Sequence, residues 1–154
     1  MRPTITRALI AAVVAAAVPA AAVVGTAPAL AQPKPADKKK IAKEYTDAGL
    51  AAQNAGDYPT ALQFYAKAEA MNALTADAWA NYADAAASAG GGHLSGKPEQ
   101  YLQRALQLDP DHPKALWLQA SLYHEQKEYA KAVDVWRHLA RIIPADSSDA
   151  KIIA

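Results

Sequence analysis

Apolar and small residues recur along the chain at intervals of three and four, interrupted by short polar breaks. After Gly56-Asp57-Tyr58 come Ala61, Tyr65 and Ala68, at spacings of three, four and three. After Lys127-Glu128-Tyr129 come Ala132, Trp136 and Leu139, at the same spacings. Pro144 follows Leu139, and between the two units Leu102, Ala105 and Pro110 hold the places of Trp136, Leu139 and Pro144. Such spacing keeps one stripe of an α-helix on a core. Gly and Pro in the breaks end one helix and start the next. The pattern predicts six helices in three hairpins, over residues 40–54 and 58–71, 75–89 and 97–108, 112–126 and 129–142. A short seventh helix follows, capped by Asp146 or Ser147, with Ile152 and Ile153 covering the last hairpin.

The three hairpins also agree in phase with one another. Tyr45, Ala48 and Gly49 match Trp79, Tyr82 and Ala83, and then Leu116, Gln119 and Ala120. Small residues at these places let the two helices of a hairpin approach closely. Large ones fill the space between neighbouring hairpins. One hairpin cannot bury its own apolar face, so the units stack. The fold class expected is all-α, an α-solenoid of three hairpins plus a short C-terminal capping helix. The pattern resembles the tetratricopeptide repeat, with repeats at about 42–75, 76–112 and 113–146 in a domain spanning 41–154. Two departures stand out. Ala73 sits where the pattern has proline, and the second hairpin carries a long Gly-rich connection, Ala89 to Pro98. Its glycines predict a mobile loop.

Ahead of the repeats, Arg2 and Arg7 precede an Ala- and Val-rich run, and Ala29-Leu30-Ala31 offers a small-x-small cleavage site. Residues 1–31 are therefore read as a secretory signal peptide, and 32–40 as a linker. The alternative is an uncleaved membrane anchor. Export implies a periplasmic protein. With no cysteine, it has neither disulfides nor thiol chemistry. Without Arg2 and Arg7, 14 basic residues face 15 acidic ones, which is no footprint for nucleic acid. The one basic run, Lys38-Lys39-Lys40, suits solvation or contact with lipid head groups at a nearby membrane.

Candidate catalytic chemistry is absent from the pattern. No nucleophile stands at motif spacing from a base, and no Cys-x-x-Cys-His is present to attach haem. His93, His112, His124 and His138 form no metal-binding pair at helical spacing and read as solvent-facing or capping residues. Gly90-Gly91-Gly92 lacks the Lys-Ser/Thr of a phosphate loop. No cofactor, metal site or catalytic residue is expected. The protein is read as a binding module and not an enzyme.

A narrower resemblance rests on particular stretches. These are Asn81-Tyr82-Ala83-Asp84-Ala85, the Gly-rich loop, Pro98 to Leu106, and Leu108 to Leu118. Tyr129 to Trp136 and Ile142-Ile143-Pro144 with its Ser-Ser-Asp stretch continue it. From about Thr75 to Ala150 the chain resembles the periplasmic tetratricopeptide domain of cytochrome c-type biogenesis factors of the CcmH/NrfG type. That resemblance implies an assembly chaperone that holds apocytochrome c, chiefly its C-terminal helix, for haem attachment by the haem ligation complex. A general scaffold in a cell-envelope complex is the alternative.

In such stacks the first helix of each repeat lines a concave groove. Mapped onto this sequence, the partner-binding residues are Lys43 and Leu50 in the first unit and Asp77, Ala80 and Asp84 in the second. The third gives Lys114, Trp117, Ser121 and His124, with Glu125 beside them. Leu116 takes the core place, which turns Trp117 toward the groove as an anchor. An apolar floor of Leu50, Ala80, Ala87 and Trp117 among these charges suits an amphipathic helix. Of the carboxylate clamp found in chaperone-tail-binding relatives, Asn81 and Lys114 fit, but Thr46, Leu50 and Leu118 do not. The expected partner is thus a polypeptide held along its length.

Overall fold

The computed structural model describes residues 34–153. The expected signal peptide lies outside them. Seven helices follow in order: α1 (Pro35–Asn54), α2 (Tyr58–Glu69), α3 (Ala76–Ala89), α4 (Lys97–Leu108), α5 (Pro113–Glu125), α6 (Tyr129–Ile142) and α7 (Ser148–Ile153). Helices α1 with α2, α3 with α4, and α5 with α6 pack as hairpins, and α2 meets α3 as α4 meets α5. The first helices touch one another, α1 against α3 and α3 against α5. The fold is an all-α solenoid of three hairpins with α7 laid on α6.

Local chemistry explains the boundaries. The Asp57 carboxylate accepts the Thr60 N–H, the Thr75 hydroxyl oxygen accepts the Ala78 N–H, and Ser147 Oγ accepts the Ala150 N–H. Each satisfies a donor that a helix start leaves free. Of the two expected caps for α7, Ser147 is the one used. His112 is nearly buried, and its Nδ1 accepts the Ala115 N–H at 3.2 Å. Its Nε2–H is then left to donate to Asp77, 2.9 Å away on α3. Where Ala73 replaces proline, Asn72 takes the left-handed turn instead, at φ 52°.

One boundary moves. Helix α1 starts at Pro35, so most of the expected linker is helical. Proline fits the first turn because its missing N–H would have had no partner there, and Asp37 complements the positive helix end. Alanine and lysine then favour continuation.

Alanine dominates the core. Ala61, Ala68, Ala80, Ala83, Ala85, Ala105, Ala115 and Ala120 have no exposed surface. Gly49 marks the tightest approach: a Cβ built there would lie 3.0 Å from the Tyr65 ring. Between the first two hairpins the rings stack. Tyr65 lies 5.3 Å from Tyr82, and Tyr82 lies 3.9 Å from Tyr101 with Trp79 beside both. The Tyr101 hydroxyl donates to that of Tyr82 at 3.2 Å. Burial, and then the Asp84 charge, push the Tyr65 hydroxyl up to about 12, and burial likewise raises Tyr82.

The Gly-rich connection is not a free loop. Glu125, at the end of α5, accepts the Leu94 N–H at 2.9 Å and the Ser95 hydroxyl at 3.3 Å, with His93 Nδ1 3.4 Å away. Leu94 itself is buried in the core with Leu102, Leu118 and Leu122. The glycines supply the positive φ values at Gly91, Gly92 and Gly96. They shape a strap that the core and a carboxylate hold down, which corrects the expectation of mobility. The Leu94 hydrogen bond chiefly holds Glu125 below the usual carboxylate range.

Candidate functional site

The face bordered by the first helices is divided into two. Its first part is a cavity of about 700 Å³ between α1, α3 and the turn after α2, lined among others by Lys39, Lys43, Leu50, Leu74, Asp77 and Asn81. Leu50 is 36% exposed there, an apolar surface open to a partner. Lys43 Nζ donates to Asp47 at 2.7 Å one helical turn on, and both side chains are exposed. The second part, about 420 Å³, lies between Pro113, Lys114, Trp117, Leu139 and Ile143.

A polar ridge stands between them. Lys114 Nζ reaches from α5 to α3, 2.7 Å from Asp84 and 2.8 Å from the Asn81 carbonyl. Gln53 on α1 donates to the same Asp84 carboxylate at 2.9 Å and accepts the Tyr65 hydroxyl at 3.0 Å. Asp84 and Lys114 thus neutralise each other, and Asn81 spends its carbonyl on Lys114. The two residues that fitted a carboxylate clamp are bonded to the protein itself.

The expected groove residues therefore separate. Lys43, Leu50 and Asp77 line the larger cavity. Asp84 and Lys114 form the ridge. Ala80 is fully buried with Ala87, Ala115 and Leu118, so a partner cannot touch it. Its place on the floor is corrected: α3 and α5 meet over this small side chain. Ser121 Oγ is turned back onto the Trp117 carbonyl at 3.0 Å. His124 is exposed and meets the Tyr129 ring edge-on at 5.4 Å. Glu125 holds the strap.

Trp117 does not join Leu50 in one groove. Its ring meets Trp136 of α6 edge-on, with centroids 4.6 Å apart. The pair borders a cavity of about 490 Å³ at the C-terminal end, lined also by Val133, Arg137, Ile152 and Ile153. The contact is made within one hairpin, where the indole of α5 packs on that of α6. Sequence reasoning missed Lys39, assigned to a linker, and Leu74, in the turn between repeats. Among the described residues, no group of three His, Asp or Glu side chains is placed to hold a metal. Among them, too, no helix is long and apolar enough to cross a membrane.

This geometry has a solved counterpart. The tetratricopeptide domain of Arabidopsis OM64 superposes with a TM-score of 0.63, over 75% of this chain and 93% of that domain. The chain has the tetratricopeptide fold. At 21% identity the likeness to OM64 is one of fold alone. In sequence, the chain resembles the cytochrome c-type biogenesis protein CycH of Rhizobium meliloti, 35% identical over 66 residues. That match takes in 43% of this chain but only 17% of the length of CycH. No family model matches the chain.

Proposed function

We propose that this protein is a non-catalytic, polypeptide-binding tetratricopeptide module of the periplasm that holds apocytochrome c for haem attachment. The observation that carries the binding reading is the cavity between α1 and α3. It pairs the exposed Leu50 and the half-buried Leu74 with charged walls, the arrangement that receives an amphipathic helix. Bonding of Asn81 and Lys114 within the protein favours a segment held along its length over a terminal carboxylate. The sequence likeness to CycH, a cytochrome c-type biogenesis protein, supports apocytochrome c as the client and the cell envelope as the place. The proposed contact residues are Lys43, Leu50 and Asp77, joined by Lys39 and Leu74.

The test is a calorimetric titration of the full chain with a peptide from the C-terminal helix of a c-type apocytochrome. Micromolar binding, lost when the peptide is scrambled, is the expected result. No binding of either peptide overturns the client assignment. A second reading, a scaffold in an envelope complex, draws on one feature, the apolar surface at Val133, Ile152 and Trp136. Binding of whole envelope proteins with no response to the apocytochrome peptide favours that alternative.

A further inference from the structure

The larger cavity carries opposite charges on its two walls. On the α1 wall, Lys39 is exposed and has no acidic partner among the described residues. Lys43, one turn further on, is already answered by Asp47. On the α3 wall stands Asp77, whose side chain is 83% exposed. Its hydrogen bond comes from His112 Nε2, while Nδ1 of that ring is occupied in accepting the Ala115 N–H. An imidazole that accepts at Nδ1 is neutral, so the Asp77 carboxylate keeps its full negative charge. Between the walls lie Leu50 and Leu74. Beyond Asn81 the charges cancel, because Lys114 and Asp84 pair with each other.

We propose that this groove selects an amphipathic helix by its two flanks, one acidic and one basic on either side of an apolar stripe. The stripe lies on Leu50 and Leu74. The acidic flank faces Lys39 and the basic flank faces Asp77. Because the two walls differ in sign, such a helix fits in one direction and not in the reverse. The charges thus set the orientation of the bound segment, while the apolar floor supplies most of the adhesion. This inference rests on the peptide-binding reading above and adds to it the chemistry of the partner.

Three synthetic helical peptides with an identical leucine stripe test it. One carries glutamate on one flank and lysine on the other. The second is lysine on both flanks, the third glutamate on both. Calorimetry against the full chain is expected to rank the mixed peptide first, by roughly threefold over the other two, as exposed charge pairs allow. Raising the salt concentration erases the difference. The Lys39→Glu variant makes both walls acidic and is expected to shift the preference to the all-lysine peptide. Lys39 is exposed, so the variant is expected to fold, and its helical circular dichroism checks that. Equal affinity of the three peptides for wild type and variant overturns the inference and leaves the peptide-binding reading standing. No binding of any peptide overturns both.

Discussion

Glu125 Oε2 accepts the Leu94 N–H at 2.9 Å across 31 residues of sequence, tying the connection of one hairpin to the next. Replacing Glu125 with alanine removes the acceptor for Leu94 and Ser95 together. The expected cost is about 1 kcal/mol, with faster hydrogen exchange at the Leu94 amide. Acid does the same. Leu94 holds the folded carboxyl below its ordinary value of 4.5, so this contribution is full above that value and is lost as pH falls through the folded one. Urea unfolding of wild type and Glu125→Ala, compared at neutral and acid pH, checks this: their difference shrinks in acid.

Gly49→Ala tests the close approach of α1 and α2. In an exposed helix the change would stabilise by roughly 1 kcal/mol. Here the new methyl meets the buried Tyr65 ring, 3.0 Å away, and that ring is held through Gln53. We expect a net destabilisation of about 1–3 kcal/mol in chemical denaturation.

At the alkaline end, Tyr65 decides the sign. Its hydroxyl rises from 10.0 to about 12 in the folded chain. The unfolded chain therefore ionises first. This stabilising contribution is complete below about pH 10 and is lost by about pH 12. Urea titrations at rising pH are expected to show stability falling over that window. In Tyr65→Phe the fall is shallower, with Tyr82 accounting for what remains.

Trp117→Ala separates packing from binding. Loss of the edge-on contact with Trp136 is expected to destabilise the last hairpin by about 2–4 kcal/mol. Affinity for a helix in the α1–α3 cavity stays unchanged, because no tryptophan lines that cavity. Leu50→Ala gives the converse result: roughly tenfold weaker peptide binding and little change in stability, since Leu50 is exposed.

The hairpins were legible because burial imposes a period: Ala61, Tyr65 and Ala68 are all buried, at the spacing the sequence displays. Gly49 and Ala83 were legible for the same reason. The groove was legible only in part. Position along a helix indicates a face, but not what a neighbouring helix has already covered, so Ala80 was placed in the groove when α5 lies on it. Pairings such as Lys114 with Asp84, or Glu125 with Leu94, join residues about thirty apart and leave no local signature. Lys39 was lost with the linker, since the start of α1, Pro-Ala-Asp-Lys-Lys-Lys, holds too few apolar residues to display a helical period.

The positions of the three tryptophans have an optical consequence. Trp79 sits in the aromatic stack between the first two hairpins, and Trp117 and Trp136 pair at the far end. All three lie off the lining of the α1–α3 cavity. A helix seated there is silent to intrinsic fluorescence, and an unchanged emission spectrum is the signal expected of a fully occupied groove.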